Sequence, residues 1–211
     1  LLIELLKRHH RMVFSTTLHG YEGSGRGFEL RFKKHLNLHT PDWKHCELKS
    51  PVRWAEKDPL ESVIFDTLLL KAKVAQLSEQ VIEGFDSSQV IYETVESQTL
   101  LEQPQRMQAL FGLLVQAHYQ TSPNDLQQLL NAPNLQIITA EYPVEEGQNL
   151  TLGAVLCIQE GKINPAKNRA HGHLVPQLLT RHYAQDDFLM LSTLRVMRIA
   201  VHPSLQRKGI G

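Results

Sequence analysis

Hydrophobic residues recur at helical spacing in four parts of this chain. The leucines within residues 1–6 share one face of a predicted helix, which ends in the basic run 7–10. Asp58, Pro59 and Glu61 supply a cap, a first-turn proline and a first-turn carboxylate, and they predict a helix to about Val74. Two further helices are predicted over residues 105–119 and 122–131, each with an apolar stripe that favours a core position.

Shorter apolar runs, many of them β-branched, predict strands between and after these helices. Residues 28–36 fit both a helical and an alternating period, so their structure stays open. A connector rich in Gly, Asp and Ser over residues 84–88 predicts a domain boundary. The predicted strands cover residues 12–14, 47–48, 89–93, 135–140, 151–159 and the run that leads from Val196 to Val201.

The last predicted strand is stopped by Pro203 and is followed by the run Gln206–Arg207–Lys208–Gly209–Ile210–Gly211. Two glycines leave backbone amides uncovered by a Cβ atom, so a bulky anion can approach them closely. If a helix begins here, its unbonded N–H groups face the same point. These features favour a pyrophosphate site, although a Gly-x-Gly alone is more often a simple turn.

This strand and loop resemble the coenzyme A pyrophosphate loop of the GCN5-related N-acetyltransferase superfamily. The run lacks the Gly-Lys-Ser/Thr ending of a nucleotide P-loop and the Gly-x-Gly-x-x-Gly of a dinucleotide fold. The resemblance implies that the loop binds acetyl-CoA.

Composition restricts the possible partners. Lys plus Arg and Asp plus Glu are 22 each, so no overall basic field indicates nucleic acid. Residues 162–177 are a locally basic insertion, and they form either a solvated loop or a loop that contacts phosphates. His171 and His173 lack an evident third ligand, so no metal is expected. Cys46 and Cys157 are expected to be reduced thiols, and residues 1–6 are too short for a signal peptide or membrane span.

Two other segments have both a structural and a functional interpretation. The loop His19–Gly27 contains four glycines among charged and hydroxyl residues, and it is either a flexible surface loop or a nucleotide-phosphate sensor at a strand end. Arg53 is either a phosphate clamp or the partner of a nearby acid such as Glu56, Asp58 or Glu61.

Four separated motifs together resemble the bacterial tRNA(Met) cytidine acetyltransferase family, in the family's order. They are the stretches 14–28 (FSTTLHGYEGSGRGF), 51–55 (PVRWA), 117–126 (AHYQTSPNDL) and 198–211 (RIAVHPSLQRKGIG). Members of that family fuse a RecD-like helicase module, which binds and hydrolyses ATP, to an acetyltransferase module. The resemblance implies an α/β fold with two parts: the end of a RecA/RecD-like helicase module over residues 1–84, and a GCN5-related N-acetyltransferase domain, truncated at its cofactor loop, over 85–211.

The family resemblance also implies a function and site residues. It implies ATP-assisted transfer of an acetyl group from acetyl-CoA to N4 of the wobble cytidine of elongator tRNA(Met), in the cytoplasm, with no membrane and no protein partner. Arg53 would contact ATP. The acetyl-CoA contacts would be Ile199, Ala200, Val201, Gln206, Arg207, Lys208, Gly209, Ile210 and Gly211.

Several points stay open at this level. The chain is expected to be a piece of a longer protein, inactive alone, because the family's nucleotide P-loop is missing from it. The family's Arg-Pro-Arg-Gly-His run is replaced by Arg169–Ala170–His171–Gly172–His173, which leaves that loop's role in RNA contact undefined. His202, His173, His118 and Glu141 are all conceivable bases, and spacing singles out none. The alternative function is acetylation of a small-molecule or protein amine.

Overall fold

The structure is a computed structural model, and it describes residues 2–9, 11–17, 32–118, 123–145, 148–164 and 172–210. The chain divides into two compact units, Leu1–Ala72 with His118–Pro123, and Lys73–Ala117 with Asn124–Gly211. The domain boundary expected near residue 84 stays a prediction.

The described residues of the first unit contain three short helices, α1 (Leu2–Arg8), α2 (Lys33–His39) and α3 (Pro59–Thr67). Its core cluster consists of Leu6, Phe32 and Leu36, with Ile3, Met12, Phe14 and Trp43 packed around it. The helix predicted over the first leucines is therefore confirmed, and the ambiguous segment is helical from Lys33. The glycine-rich loop His19–Gly27 lies outside the described residues.

Two predicted strands of this unit are wrong. Residues 12–14 and 47–48 have no strand structure, although their β-branched and apolar residues favour it. A strand needs a partner for its backbone groups, and neither segment has a partner strand in the described part of the unit. The side chains of Val13 and Leu48 are 96% and 98% exposed, so burial does not hold these segments in a sheet either.

The start of α3 is confirmed, but its predicted end near Val74 is wrong. The Asp58 carboxylate accepts a hydrogen bond from the Leu60 N–H at 2.8 Å, which caps the helix as the sequence predicts. The helix ends at Thr67, and Leu69 then adopts a left-handed φ of 50°. No residue of α3 is buried, so packing does not extend the helix.

The described residues of the second unit form a four-stranded antiparallel sheet with helices. The sheet order is β1-β2-β3-β4, and each strand pairs antiparallel with its neighbour. The strands and helices predicted from residue 89 onward are confirmed, with bounds shifted by a few residues. The elements are α4 (Glu79–Glu83), β1 (Ile91–Val95), α5 (Ser97–Glu102), α6 (Pro104–Ala117), α7 (Pro123–Asn131), β2 (Leu135–Glu145), β3 (Gln148–Gly161), α8 (Leu174–Tyr183) and β4 (Ser192–Val201), with short 3₁₀ helices at Ser87–Gln89, Asp186–Met190 and Pro203–Leu205.

Helix α6 supplies one wall of the core of this unit. It packs against β3 and β4, and it buries Met107, Leu110 and Leu114, three members of its predicted apolar stripe. The opposite face of the sheet carries a second cluster, formed by Val90, Ala140, Tyr142, Leu152, Leu205 and Ile210. Because Leu205 and Ile210 follow β4, this second cluster fixes the chain immediately after the last strand.

Helix α8 is attached to the sheet through one buried carboxylate. Glu160, at the end of β3, is 2% exposed, and it accepts hydrogen bonds from the Val175 N–H at 2.8 Å and from Arg195 Nε at 2.7 Å. Burial alone opposes ionisation of this group. The Val175 N–H and the Arg195 guanidinium outweigh burial and hold the pKa of Glu160 below its usual range.

Replacing Glu160 by Gln should therefore destabilise the protein in a pH-dependent way. The lowered pKa contributes stability that is present above the unfolded-state pKa of about 4.3 and is lost as pH falls through the folded-state pKa. We expect E160Q to lower the free energy of unfolding by about 2–3 kcal/mol at pH 7, because two hydrogen bonds to a charged group are weakened.

Urea denaturation of wild type and E160Q at several pH values measures this difference. It should shrink at pH values below about 4, where the wild-type carboxylate is also neutralised. E102Q, which neutralises the exposed Glu102 of α5, is the matched control and should cost little at any pH. A penalty for E160Q that stays constant down to pH 3 would contradict this account.

Candidate functional site: the turn after the last strand

The chain leaves β4 through a fixed corner. The His202 N–H donates to the Leu152 carbonyl at 2.8 Å, and Pro203–Leu205 forms one turn of 3₁₀ helix. The imidazole of His202 is buried and uses both nitrogens, because Nδ1 accepts from the Ser204 N–H at 3.2 Å and Nε2 lies 2.8 Å from the Ala75 carbonyl. This arrangement requires the tautomer that is protonated at Nε2.

The turn itself spans residues 206–209 and lies between two buried anchors. The side chains of Leu205 and Ile210 are 0% and 6% exposed, and both belong to the hydrophobic cluster on the face of the sheet opposite α6. The four residues between them are exposed. Burial of each anchor stabilises the folded turn by roughly 1.5–3 kcal/mol, so a polar and exposed segment is held at a defined position.

The backbone of this turn leaves amide groups available. The Lys208 N–H donates to the Leu205 carbonyl at 3.3 Å. Within the described part of the chain, the N–H groups of Gln206, Arg207 and Gly209 donate no hydrogen bond to protein. Free amides in consecutive turn residues can bind an anion. Gly211, the other predicted glycine, lies outside the described residues.

Two residues of the turn have left-handed backbone. Arg207 has a φ of 65° and Gly209 a φ of 85°. A Cβ atom added at Gly209 would meet only the Ser87 side chain, at an ordinary 3.5 Å from Oγ. Gly209 is therefore required by its φ angle, which L side chains rarely adopt, and not by lack of space.

The two cations of the turn differ in their contacts. Lys208 Nζ donates to the Ile82 carbonyl at 2.6 Å, so its ammonium is tied to the protein while keeping two further N–H donors. Arg207 is exposed and makes no hydrogen bond or ion pair with the described residues. Its guanidinium is the more available of the two for an anionic ligand.

The end of β4 presents a second set of backbone donors. Successive N–H groups along a strand point in alternate directions. The N–H of His202 points toward β3, so that of Ala200 does too. The N–H groups of Ile199 and Val201 therefore point away from β3. In the described part of the sheet β4 pairs only with β3. The N–H groups of Ile199 and Val201 therefore lie on the outer edge of the strand.

A shallow apolar hollow of about 40 Å³ lies beside these donors. It is lined by Tyr92, Ala140, Gly153, Ile199, Val201 and Ile210, among others. The hollow lies between the end of β4 and Ile210, the residue that follows the turn. Predicted contacts at 199–201 and 206–210 are thus neighbours in one region of the second unit.

Arg53 belongs to the first unit and is described separately. It is exposed, in a segment without helix or strand. The three acids that the sequence offered as partners are bonded elsewhere: Glu56 to the Ser50 hydroxyl, Asp58 to the Leu60 N–H and Glu61 to Trp54 Nε1. Arg53 makes no ion pair with any residue that the structure describes, so its guanidinium is available to a ligand.

The four conceivable bases have different surroundings. His202 is fully engaged, as described above. His173 Nδ1 accepts from the Gly161 N–H at 2.9 Å, and His118 directly follows α6. Glu141 is buried and bonded by Arg106 and Thr151. None of these groups is marked by geometry as a base.

A polar cluster around Arg106 is the feature that sequence reasoning missed. Arg106 donates to Glu141 Oε1 from Nη2 at 2.9 Å and to the Thr139 hydroxyl at 3.0 Å, and it also pairs with Glu93. Glu141 is 2% exposed. Glu93, Arg106 and Glu141 border a cleft of about 900 Å³ on the face of the sheet that α6 covers. No spacing rule links three residues that come from β1, α6 and β2, so the sequence carried no signal for the cluster.

Comparisons with known proteins agree with this arrangement. Residues 1–71 match the family model described as RNA cytidine acetyltransferase NAT10/TcmA, helicase domain, and residues 109–211 match the model GNAT acetyltransferase 2. A protein of Nitrosococcus halophilus named tRNA(Met) cytidine acetyltransferase TmcA is 38% identical over 218 residues, which cover 100% of this chain and 28% of that protein.

Proteins of the same name show the same relation in other organisms. The Vibrio cholerae protein is 38% identical over 215 residues, which cover 98% of this chain and 29% of the relative. The Thermofilum pendens protein is 35% identical over 223 residues, which cover 100% of this chain and 27% of the relative.

This chain belongs to the tRNA(Met) cytidine acetyltransferase family.

The family assignment confirms the predicted fold class. Helicase-module residues precede an acetyltransferase domain of α/β structure, in that chain order. The chain spans about 28% of the length of the first family member named above. In the described residues no helix is both long enough and apolar enough to cross a membrane.

The Arg106 cluster gives a test of the second unit's polar core. Replacing Arg106 by Met removes the partner of a buried carboxylate, so R106M should lower the free energy of unfolding by about 3–5 kcal/mol. Adding Glu141→Met should recover part of that loss, because no unpaired charge then remains buried. Chemical denaturation of the single and double variants measures both values, and a double variant less stable than R106M would contradict the assignment.

Proposed function

We propose that the full-length protein carrying this chain transfers the acetyl group of acetyl-CoA to N4 of the wobble cytidine of elongator tRNA(Met), with the assistance of ATP. Three relations support this proposal: the names of the relatives, the acetyltransferase model over residues 109–211 and the helicase model over 1–71. The terminal turn is the structural observation that carries it.

The turn fits the diphosphate of acetyl-CoA. Its available N–H groups at Gln206, Arg207 and Gly209 are donors for phosphate oxygens, and the exposed Arg207 guanidinium adds a positive charge. The absence of a Cβ atom at Gly209 lets a ligand approach the backbone closely. Lys208 and the backbone of Ile210 are the further contacts to acetyl-CoA that the family resemblance implies.

The outer edge of β4 fits the acyl end of the same molecule. The exocyclic amine of cytosine is a weak nucleophile, since its lone pair is shared with the ring, so close positioning against an activated thioester is required. Negative charge develops on the thioester carbonyl oxygen during attack. An N–H of Ile199 or Val201, directed away from β3, can donate to that oxygen.

The proton released by the amine needs an acceptor that the described residues do not identify. His202 and Glu141 are held by protein partners, which argues against either as the base. We therefore assign no catalytic base in this chain.

Arg53 is proposed to contact ATP in the helicase module. Its guanidinium is exposed and has no acidic partner in the described residues. A permanent charge with several donors suits a phosphate group. Unstacking the target base costs roughly a few kcal/mol, and an ATP-driven module can supply this free energy.

The basic segment between β3 and α8 is proposed to contact tRNA phosphates. Lys162 is exposed, while Lys167, Arg169 and His171 lie outside the described residues. Phosphate contacts of this kind raise affinity without reading sequence.

Acetyl-CoA binding to the full-length protein tests the turn. R207A should weaken acetyl-CoA binding about 5- to 10-fold, because a charge-assisted contact is lost. G209A should weaken it by a similar factor, since an L residue is strained at a φ of 85°. Isothermal titration calorimetry measures both. R181A, which removes an exposed cation from α8, is the matched control and should bind like wild type. Unchanged acetyl-CoA affinity in both R207A and G209A would contradict the assignment of the turn as the diphosphate site.

A competition assay tests the acceptor. With radiolabelled acetyl-CoA and ATP, the full-length protein should acetylate tRNA(Met), and it should leave polyamine and peptide amines unmodified. Nucleoside analysis of the product should find N4-acetylcytidine at the wobble position, and replacing that cytidine by uridine should abolish incorporation. Preferential labelling of the polyamine or peptide would instead support an amine acetyltransferase.

A further inference from the structure

Tyr92 connects the first strand of the sheet to the terminal turn. Its hydroxyl donates to the carbonyl of Ile210 at 3.1 Å, across 118 residues of sequence. Tyr92 lies opposite Ala140 in the β1–β2 register and lines the same hollow as Ile199 and Val201. This contact was not predicted from the sequence, since residue 92 belongs to an ordinary strand pattern.

The hydrogen bond from Tyr92 restrains the backbone of Ile210, whereas core packing holds its side chain. The Ile210 side chain is already held by the buried cluster of Ala140, Leu152 and Leu205. Packing of an aliphatic side chain fixes position but leaves the rotation of the neighbouring peptide less defined. The hydrogen bond from Tyr92 restrains that rotation at the Ile210 carbonyl.

The other side of Ile210 is also closely fitted. A Cβ atom added to Gly153 of β3 would lie 3.3 Å from Ile210 Cγ2 and 3.2 Å from Ala140 Cβ. Gly153 thus leaves room for Ile210, while the Tyr92 hydroxyl holds its carbonyl. The carboxyl end of the exposed segment 206–209 is therefore oriented by two strands of the sheet.

We propose that Tyr92 is a positioning residue for the diphosphate-binding turn. This inference rests on the proposed function, because it assumes that the turn binds acetyl-CoA. Tyr92 restrains the Ile210 carbonyl and thereby holds the end of the segment 206–209, whose amides at 206, 207 and 209 are available to a ligand. Its hydroxyl need not touch the ligand.

Tyr92→Phe in the full-length protein tests the proposal, because it removes only the hydroxyl. The KM for acetyl-CoA should rise about 3- to 10-fold, while kcat on tRNA(Met) at saturating acetyl-CoA should stay within twofold. S-acetylpantetheine provides the decisive comparison, since it carries the same thioester but no diphosphate. Its kcat/KM should be the same in Y92F and wild type.

The ratio of kcat/KM for the two donors is the quantity to compare. A fraction of unfolded enzyme lowers both values equally and leaves their ratio unchanged, so the ratio reports on the turn even if Y92F is less stable. Tyr183→Phe is the matched control, because Tyr183 is 57% exposed, as against 56% for Tyr92, and its hydroxyl makes no hydrogen bond to the described residues.

Each outcome decides a different question. A selective loss with acetyl-CoA supports the positioning role. An unchanged donor ratio in Y92F, together with a clear loss in R207A, overturns the role of Tyr92 and leaves the proposed function intact. If wild type uses neither donor to acetylate tRNA(Met), the proposed function fails, and this inference fails with it.

Discussion

Burial of Leu205 and Ile210 on either side of four exposed residues is the constraint on which the candidate site depends. Binding an anion with backbone amides requires groups that lack protein partners, and such groups do not hold their own segment in place. The two anchors separate these tasks, since their side chains supply the packing and the backbone between them stays available. A turn without such anchors would lose much of its binding energy in becoming ordered.

The same logic governs the end of β4. Pairing with β3 uses the N–H of Ala200 and His202 and leaves those of Ile199 and Val201 on the outer edge. The corner at His202 then turns the chain into the 3₁₀ helix without consuming those outer donors. Donors proposed for the acyl group and for the diphosphate therefore follow each other along one continuous segment, so a single extended ligand can meet both.

The sequence predicted the second unit better than the first, and the difference has a physical cause. Leu126 and Leu129 of α7 are buried at their predicted helical spacing, and β4 is held by its pairing with β3 although Val196 and Ile199 are more than half exposed. Met12–Phe14 has equal strand propensity but no partner strand in the described part of its unit, so propensity alone misled. The terminal turn was predictable because its glycines mark the motif, whereas Arg106–Glu141 and Tyr92–Ile210 join residues that only the folded topology brings together.

The Arg106–Glu141 and Tyr92–Ile210 contacts contribute differently, the first to the stability of the sheet and the second to the backbone orientation of the turn. Glu141 of the Arg106 cluster is buried, so loss of Arg106 leaves the Glu141 charge without its partner and destabilises the sheet. The Tyr92 hydroxyl bonds, in part-buried surroundings, the carbonyl of a residue whose side chain is already held by packing, so its loss changes the orientation of that carbonyl more than the stability of the fold. A binding site needs both kinds, because a stable sheet fixes where the turn begins and ends, and the bond to the Ile210 carbonyl restrains the backbone at the end of the turn.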